Sequence, residues 1–229
     1  TGRDIHKNFL PLVFESLGDY KPGLYIYSVC LSEMVFGLNE FAVRFPAALA
    51  GLLTVLFLYL TVREITGNKR LSLISAWVLA LSPWHIKLSR GAFEATLALC
   101  LLLIGFYLTL VAIRKLQKMN WGIIFFALSM HAYHSEKIIA PLLLLSMVYF
   151  FRKKLSGGKI LRWWIFTLVI VLFPFIFALG NNSQSRLQTK FVFNDPEISI
   201  FLSRETSFFG LDKLIVSANI VFKRYIEFL

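Results

Sequence analysis

The sequence predicts an all-α, polytopic bundle of transmembrane helices, and three observations support this fold class. The 229 residues are 57% hydrophobic and only 16% charged, with a mean hydropathy of +0.68. A soluble domain carries about 25% charged residues. Apolar runs recur along the chain, and the basic residues lie in short clusters between them. The net charge of +11 therefore indicates loops beside anionic lipid and not a nucleic-acid partner.

Six apolar runs are predicted to cross the membrane. A spanning helix needs about 20 residues, with a range near 17 to 25. The first, third and sixth runs meet this length alone, and the other three are shorter but alternate with them regularly. The runs are 45–62, 71–86, 95–113, 121–135, 138–151 and 163–180.

The loops between these runs predict the orientation of the bundle. Loops 62–70, 114–118 and 152–162 carry eleven basic residues and one acid, whereas loops 87–94 and 134–137 mix three basic residues with two acids. Cytoplasmic loops are enriched in lysine and arginine. We therefore predict a multi-pass protein of the plasma (inner) membrane, with its functional face on the periplasmic or extracellular side.

The segment before the first span is predicted to lie on the outer surface. Run 22–36 is short for a span, contains Glu33, and ends in the turn-like residues Gly37, Leu38 and Asn39. Such a segment is typical of an interfacial helix.

The chain is thus divided into three parts. Residues 1–44 form an outer-face loop and interfacial helix, residues 45–180 form the bundle, and residues 181–229 form an outer-face loop and the start of a further helix. Because the first twenty residues already have the character of an outer loop, we expect an internal piece of a longer protein that is inactive by itself.

Charged and polar residues on the predicted outer face are the candidates for chemistry. The sequence has no glycine-rich phosphate loop, no Gly-x-Ser-x-Gly and no zinc-protease motif. It also shows no metal-ligand spacing, so we expect no metal or other cofactor. Charge near a membrane is costly unless it has a role or a partner. The candidates are Lys21, Arg90, Glu94, His131, His134, Glu136 and Lys137.

Each candidate also has an ordinary structural explanation. Lys21 could extend its ammonium to the headgroups beside an interfacial helix. Glu94 could stabilise the positive end of a helix dipole, and Arg90 could pair with it at the i,i+4 spacing. His134 and Lys137 could be solvated residues at a helix end.

Four stretches resemble the GT-C membrane glycosyltransferases. DYKPGLYIY and FGLNEFAVRFPAALAGLLTVLFLYL are similar to the first outer loop and next span of that superfamily. SPWHIKLSRGAFEATLAL and YHSEKIIAPLLLL are similar to its second and third outer turns. The similarity covers most of residues 1–151 in the right order. The superfamily includes the dolichyl-phosphate-mannose protein mannosyltransferases and the lipid A aminoarabinose transferases, glycosyltransferase families 39 and 83.

The resemblance implies an activity and its partners. Such enzymes take a sugar from a polyprenyl phosphate in the membrane and pass it, with inversion, to a lipid, glycan or protein acceptor on the outer face. The implied partners are this donor and membrane lipids; the acceptor stays open. The general base in the family is the first acid of an Asp-Glu motif that the chain lacks, so we expect it upstream of residue 1.

The resemblance also implies residue roles. Lys21 and Lys137 match the basic residues that contact the donor phosphate, with Tyr20 and His134 beside them. Glu94 matches the acidic catalytic position of the second outer loop, where the family usually has aspartate. Two further residues are expected to support the site, Arg90 and Glu136.

Two other classes of function remain open at the sequence level. A lipid-linked-sugar flippase or transporter would also place charges beside a lipid groove, but it should show broken helices or an inverted repeat. A non-catalytic membrane scaffold would tolerate alanine at Lys21, Glu94 and Lys137.

Overall fold

The structure is a computed structural model that describes residue 11 and residues 13–16, 19–116 and 120–152. Within these ranges it is mainly helical, as predicted. The predicted span 163–180 and the segment 181–229 lie outside the described residues. The elements are β1 (Val13–Ser16), β2 (Asp19–Pro22), α1 (Gly23–Phe36), α2 (Glu40–Thr66), α3 (Lys69–Leu81), α4 (Pro83–Arg90), α5 (Glu94–Arg114), α6 (Gly122–Ala132) and α7 (Glu136–Phe150).

The chain enters the bundle through a β-hairpin that the sequence did not predict. Strands β1 and β2 pair antiparallel, with Phe14 opposite Lys21. Pro22 ends β2 and forms the N-cap of α1 with φ −60° and ψ 136°. A residue before proline favours an extended backbone, which suits Lys21 to the end of a strand. The ring of Phe14 packs edge-on against Tyr27, with centroids 5.7 Å apart, and this contact joins the hairpin to α1.

Helix α1 agrees with the predicted segment 22–36 and joins α2 through a capped turn. Gly37 has φ 78°, a conformation that favours glycine. The side chain of Asn39 accepts a hydrogen bond from the Ala42 N–H at 2.8 Å and caps α2. α1 exposes several large apolar side chains, Leu31, Met34 and Val35 among them. Its position in the membrane interface stays a prediction.

Tyr25 ties α1 to the start of α2. Its hydroxyl donates to the Val43 carbonyl at 3.1 Å, and its side chain is buried. Burial raises the pKa of Tyr25 to about 12, so the phenol stays neutral at physiological pH.

We expect Tyr25→Phe to lower the free energy of unfolding by about 1 kcal/mol, because one buried hydrogen bond is lost. The measurement is equilibrium unfolding in mixed micelles. Tyr149→Phe, which alters an exposed tyrosine, is the control. If the free energy of unfolding falls equally in Tyr25→Phe and Tyr149→Phe, the Tyr25 hydroxyl does not stabilise the fold.

Two described helices, α2 and α5, are long and apolar enough to cross a membrane. A third span results if α3 and α4 are counted together, although they are bent by 59°. The predicted run 71–86 is therefore not one straight helix. The chain breaks at Ser82, whose ψ of 121° is extended, because the next residue is Pro83. α6 and α7, at 11 and 15 residues, are shorter than a span of about 20 residues.

α5 lies at the centre of the described bundle, with α2 against one side and α6 against the other. The α5–α6 contact is close and partly polar. The Asn120 side chain, 1% exposed, donates to the Thr109 hydroxyl at 3.1 Å and accepts from the Gly122 N–H at 3.0 Å. Because Gly105 and Gly122 lack side chains, the two helix backbones approach at this point.

The ends of α2 and α5 meet at one end of the bundle. Nη1 of Arg114 lies 3.3 Å from Oε1 of Glu64, and Nη2 donates to the Ile65 carbonyl at 3.3 Å. Loops 62–70 and 114–118, predicted to share one membrane face, therefore begin side by side. The starts of α2 and α5 lie at the other end.

Candidate functional site

Lys21 and Glu94 are brought together although they are far apart in the sequence. Lys21 is exposed in β2, and Glu94 is partly buried as the first residue of α5. The positive charge of Lys21 is close enough to act on the Glu94 carboxylate. The hairpin and the start of the central helix thus bring two opposite charges near each other, and we name this pair the Lys21–Glu94 site.

The link between α4 and α5 determines where Glu94 lies. α4 ends at Arg90 and α5 begins at Glu94, so these two residues do not share one helix and the helical i,i+4 arrangement does not apply. The buried Thr96 hydroxyl donates to the Leu88 carbonyl at 3.0 Å and fastens the first turn of α5 to the end of α4. This bond fixes the position of Glu94 relative to the end of α4.

Lys137 lies in a second group of polar residues. It is partly buried in the first turn of α7, and its charge acts on His131 near the end of α6. Burial lowers the pKa of Lys137. His134 is partly buried in the turn between these two helices. The predicted donor-binding residues are thus divided between this turn and the hairpin, where Tyr20 contributes a backbone position opposite Glu15.

Arg90 faces a different feature, an open groove of about 1100 Å³ between α1, α2 and α4. Lys87 from α4 and Glu33 from α1 also line it. Arg44 and Glu40 form an ion pair of 3.4 Å at its edge. This groove was not predicted from the sequence, although the i,i+3 spacing of Lys87 and Arg90 could have indicated a shared helix face.

Glu136 is the most deeply buried of the predicted acids. Its side chain is 6% exposed, and its Oε2 has no hydrogen bond among the described residues. Burial raises the pKa of this carboxyl because the charged form loses its hydration. Within residues 19–116 and 120–152, no three His, Cys, Asp or Glu side chains are arranged to hold a metal ion.

We expect Glu136→Gln to flatten the dependence of stability on pH. Burial raises the folded-state pKa of Glu136 above its ordinary value, so its contribution to stability is present below that ordinary value and is lost as pH rises through the folded pKa. We therefore expect the free energy of unfolding, measured from pH 4 to pH 8, to fall less toward alkaline pH in Glu136→Gln than in the wild type. Glu40→Gln, at an exposed carboxylate, is the control, and parallel curves for wild type and Glu136→Gln would refute the effect.

Comparison with known proteins gives a family match. The family described as dolichyl-phosphate-mannose-protein mannosyltransferase matches residues 20–180, which include Lys21, Glu94 and Lys137. An uncharacterised protein of Aquifex aeolicus (strain VF5) is 40% identical over 72 residues, 31% of this chain. YkcB of Bacillus subtilis (strain 168), provisionally named a mannosyltransferase, is 27% identical over 147 residues, 63% of this chain.

The chain spans only a small part of these relatives. It covers 14% of the Aquifex protein and 20% of YkcB. No solved structure gives a significant match.

Proposed function

Because the chain belongs to the dolichyl-phosphate-mannose-protein mannosyltransferase family, we propose that its gene product is a membrane glycosyltransferase. It transfers a sugar from a polyprenyl-phosphate donor to an acceptor on the outer face of the plasma membrane. The observation that carries the proposal is the match to this family over residues 20–180, and the Lys21–Glu94 site at the start of the spanning helix α5 supports it. The acceptor is a lipid, a glycan or a protein.

The Lys21–Glu94 site suits a substrate with an apolar tail and an anionic head. Lys21 stands directly before α1, whose exposed apolar side chains favour the membrane interface. The polyprenyl tail of the donor lies in lipid, while its phosphate needs a cation. This position of Lys21 provides the cation where the apolar surface ends.

Lys21 acts on the bond that breaks during transfer. The acceptor hydroxyl or amine attacks the anomeric carbon and gives its proton to a carboxylate base of the complete gene product. The bond from that carbon to the phosphate oxygen breaks, and the phosphate leaves with increased negative charge. A fixed ammonium beside lipid stabilises this charge more in the transition state than in the ground state. Lys137 supplies a second cation, and the phosphate leaving group needs little proton donation. Glu94 orients Lys21 and the acceptor.

The test uses the complete gene product reconstituted in liposomes with a radiolabelled polyprenyl-phosphate hexose. A transferase consumes the donor when acceptor is present and releases polyprenyl phosphate. Donor that stays intact with every class of acceptor, in liposomes where the protein is folded, would overturn the proposal.

A flippase for the same lipid-linked sugar is the second candidate. The bent pair α3 and α4 favours it, because transporters use broken helices around their binding sites. In the same liposomes a flippase would move intact donor to the opposite leaflet. A membrane scaffold would do neither.

A further inference from the structure

An apolar groove runs between α2 and α3, away from the Lys21–Glu94 site. Its volume is about 610 Å³. Several of its side chains are large and exposed, Trp77 at 64%. The residues that define it here are Leu52, Leu56, Tyr59, Leu73, Trp77 and Ala80. We name it the α2–α3 groove.

One end of the α2–α3 groove is marked by positive charge. Arg63, Lys69 and Arg70 are exposed on either side of the turn that joins α2 to α3. Nη1 of Arg63 donates to the Tyr59 hydroxyl at 2.9 Å, and the guanidinium lies 5.9 Å from the centre of that ring. Because Tyr59 lines the groove, this contact holds the Arg63 charge at the groove end.

The start of α3 adds positive charge at the same place. α3 begins with Lys69 and Arg70 and has no acidic residue in its first turn, although the N-terminus of a helix is its positive end. Like charges therefore accumulate at this point. Glu64, the acid nearest to them along the chain, is engaged by Arg114 at 3.3 Å.

We propose that the α2–α3 groove binds an anionic phospholipid of the surrounding membrane. One acyl chain lies along the groove beside Trp77, and the phosphate contacts Arg63, Lys69 and Arg70. The apolar lining accounts for the chain, and the clustered cations account for the headgroup. Basic sites at the ends of transmembrane helices recognise anionic headgroups in this way.

The groove is separate from the proposed donor site. Its charged end lies beside the end of α5, since Glu64 contacts Arg114, whereas Glu94 begins that helix. A helix of 21 residues is about 30 Å long at 1.5 Å per residue. The expected ligand is therefore an anionic phospholipid of the membrane and not the donor, so polyprenyl phosphate should not displace it.

The test measures Trp77 fluorescence in the complete gene product held in micelles. Phosphatidylglycerol with brominated acyl chains should quench it saturably, and brominated phosphatidylcholine should do so only at much higher concentration. The fluorescence of the Trp77→Phe variant is subtracted from that of the wild type, and the difference reports Trp77 alone. The double variant Lys69→Gln/Arg70→Gln should bind roughly 25-fold more weakly, at about fivefold for each charge.

A matched control removes two other exposed basic residues with Lys87→Gln/Arg152→Gln and should leave binding unchanged. If the test pair does not fold, Arg63→Gln replaces it, with an expected loss of about fivefold. The proposal is overturned by equal binding of the two phospholipids, by equal losses in test and control variants, or by displacement with glycerol phosphate or polyprenyl phosphate.

Discussion

Replacing Lys21 with methionine in the complete gene product is expected to slow donor consumption about 100-fold, the loss typical for one fixed group that stabilises transition-state charge. Methionine keeps the length of the side chain but removes the ammonium. Because the ground-state phosphate also contacts Lys21 in our proposal, KM should rise while kcat falls. Initial rates over a range of donor concentrations separate the two effects.

The control is Lys115→Met. Lys115 is an exposed lysine that follows α5 at the end opposite Glu94. Its loss should leave donor consumption within about twofold, as expected for an exposed residue remote from the chemistry. If Lys21→Met and Lys115→Met behave alike in a folded protein, Lys21 does not act on the donor.

Glu94→Gln tests whether Lys21 and Glu94 form one unit. The charge of Lys21 acts on the Glu94 carboxylate, so the effects of the two substitutions should not add. The double variant should be little slower than the slower single variant, as for coupled residues in a mutant cycle. Fully additive losses would show that the two residues act separately.

Gly122→Val is expected to cost about 3 kcal/mol of stability, at the upper end of the cost of overpacking a tight contact. A Cβ at Gly122 would collide with the Thr109 hydroxyl oxygen and the Gly105 carbonyl oxygen, and would lie 2.9 Å from Oδ1 of Asn120. Backbone atoms cannot rotate away as a flexible side chain can, so α5 and α6 must separate. Unfolding in mixed micelles measures this loss.

Ala48→Val adds the same β-branched side chain on an exposed face of α2 and should change stability by no more than about 0.5 kcal/mol. A Gly122→Val protein that unfolds at the same midpoint as Ala48→Val would mean that α5 and α6 are not packed through Gly122.

The main helices could be predicted because their signals are local. The bounds of α2 follow from a long apolar run between a capping Asn39 and Gly67, which has φ 69°. The break before α4 also had a local signal, Pro83, but the hydropathy of residues 71–86 concealed it. Hydropathy reports how apolar a run is. It does not detect that a proline lacks the backbone N–H that a continuing helix needs.

The arrangement of the site could be predicted only in part. The separate residues were found because charge at the ends of apolar runs is conspicuous, and the family resemblance supplied their roles. The proximity of Lys21 to Glu94 depends on the hairpin and on the bond from Thr96 to Leu88. These are tertiary contacts between segments far apart in the chain, which no spacing rule describes.

The pairing of Lys21 with Phe14 in the hairpin also affects the entropy of substrate capture. Ordering the backbone of one residue costs about 1–2 kcal/mol. A lysine in an unstructured loop would incur that cost each time it bound a phosphate. In this protein the cost is met once, during folding, so only the side chain of Lys21 remains to be ordered when an anion arrives.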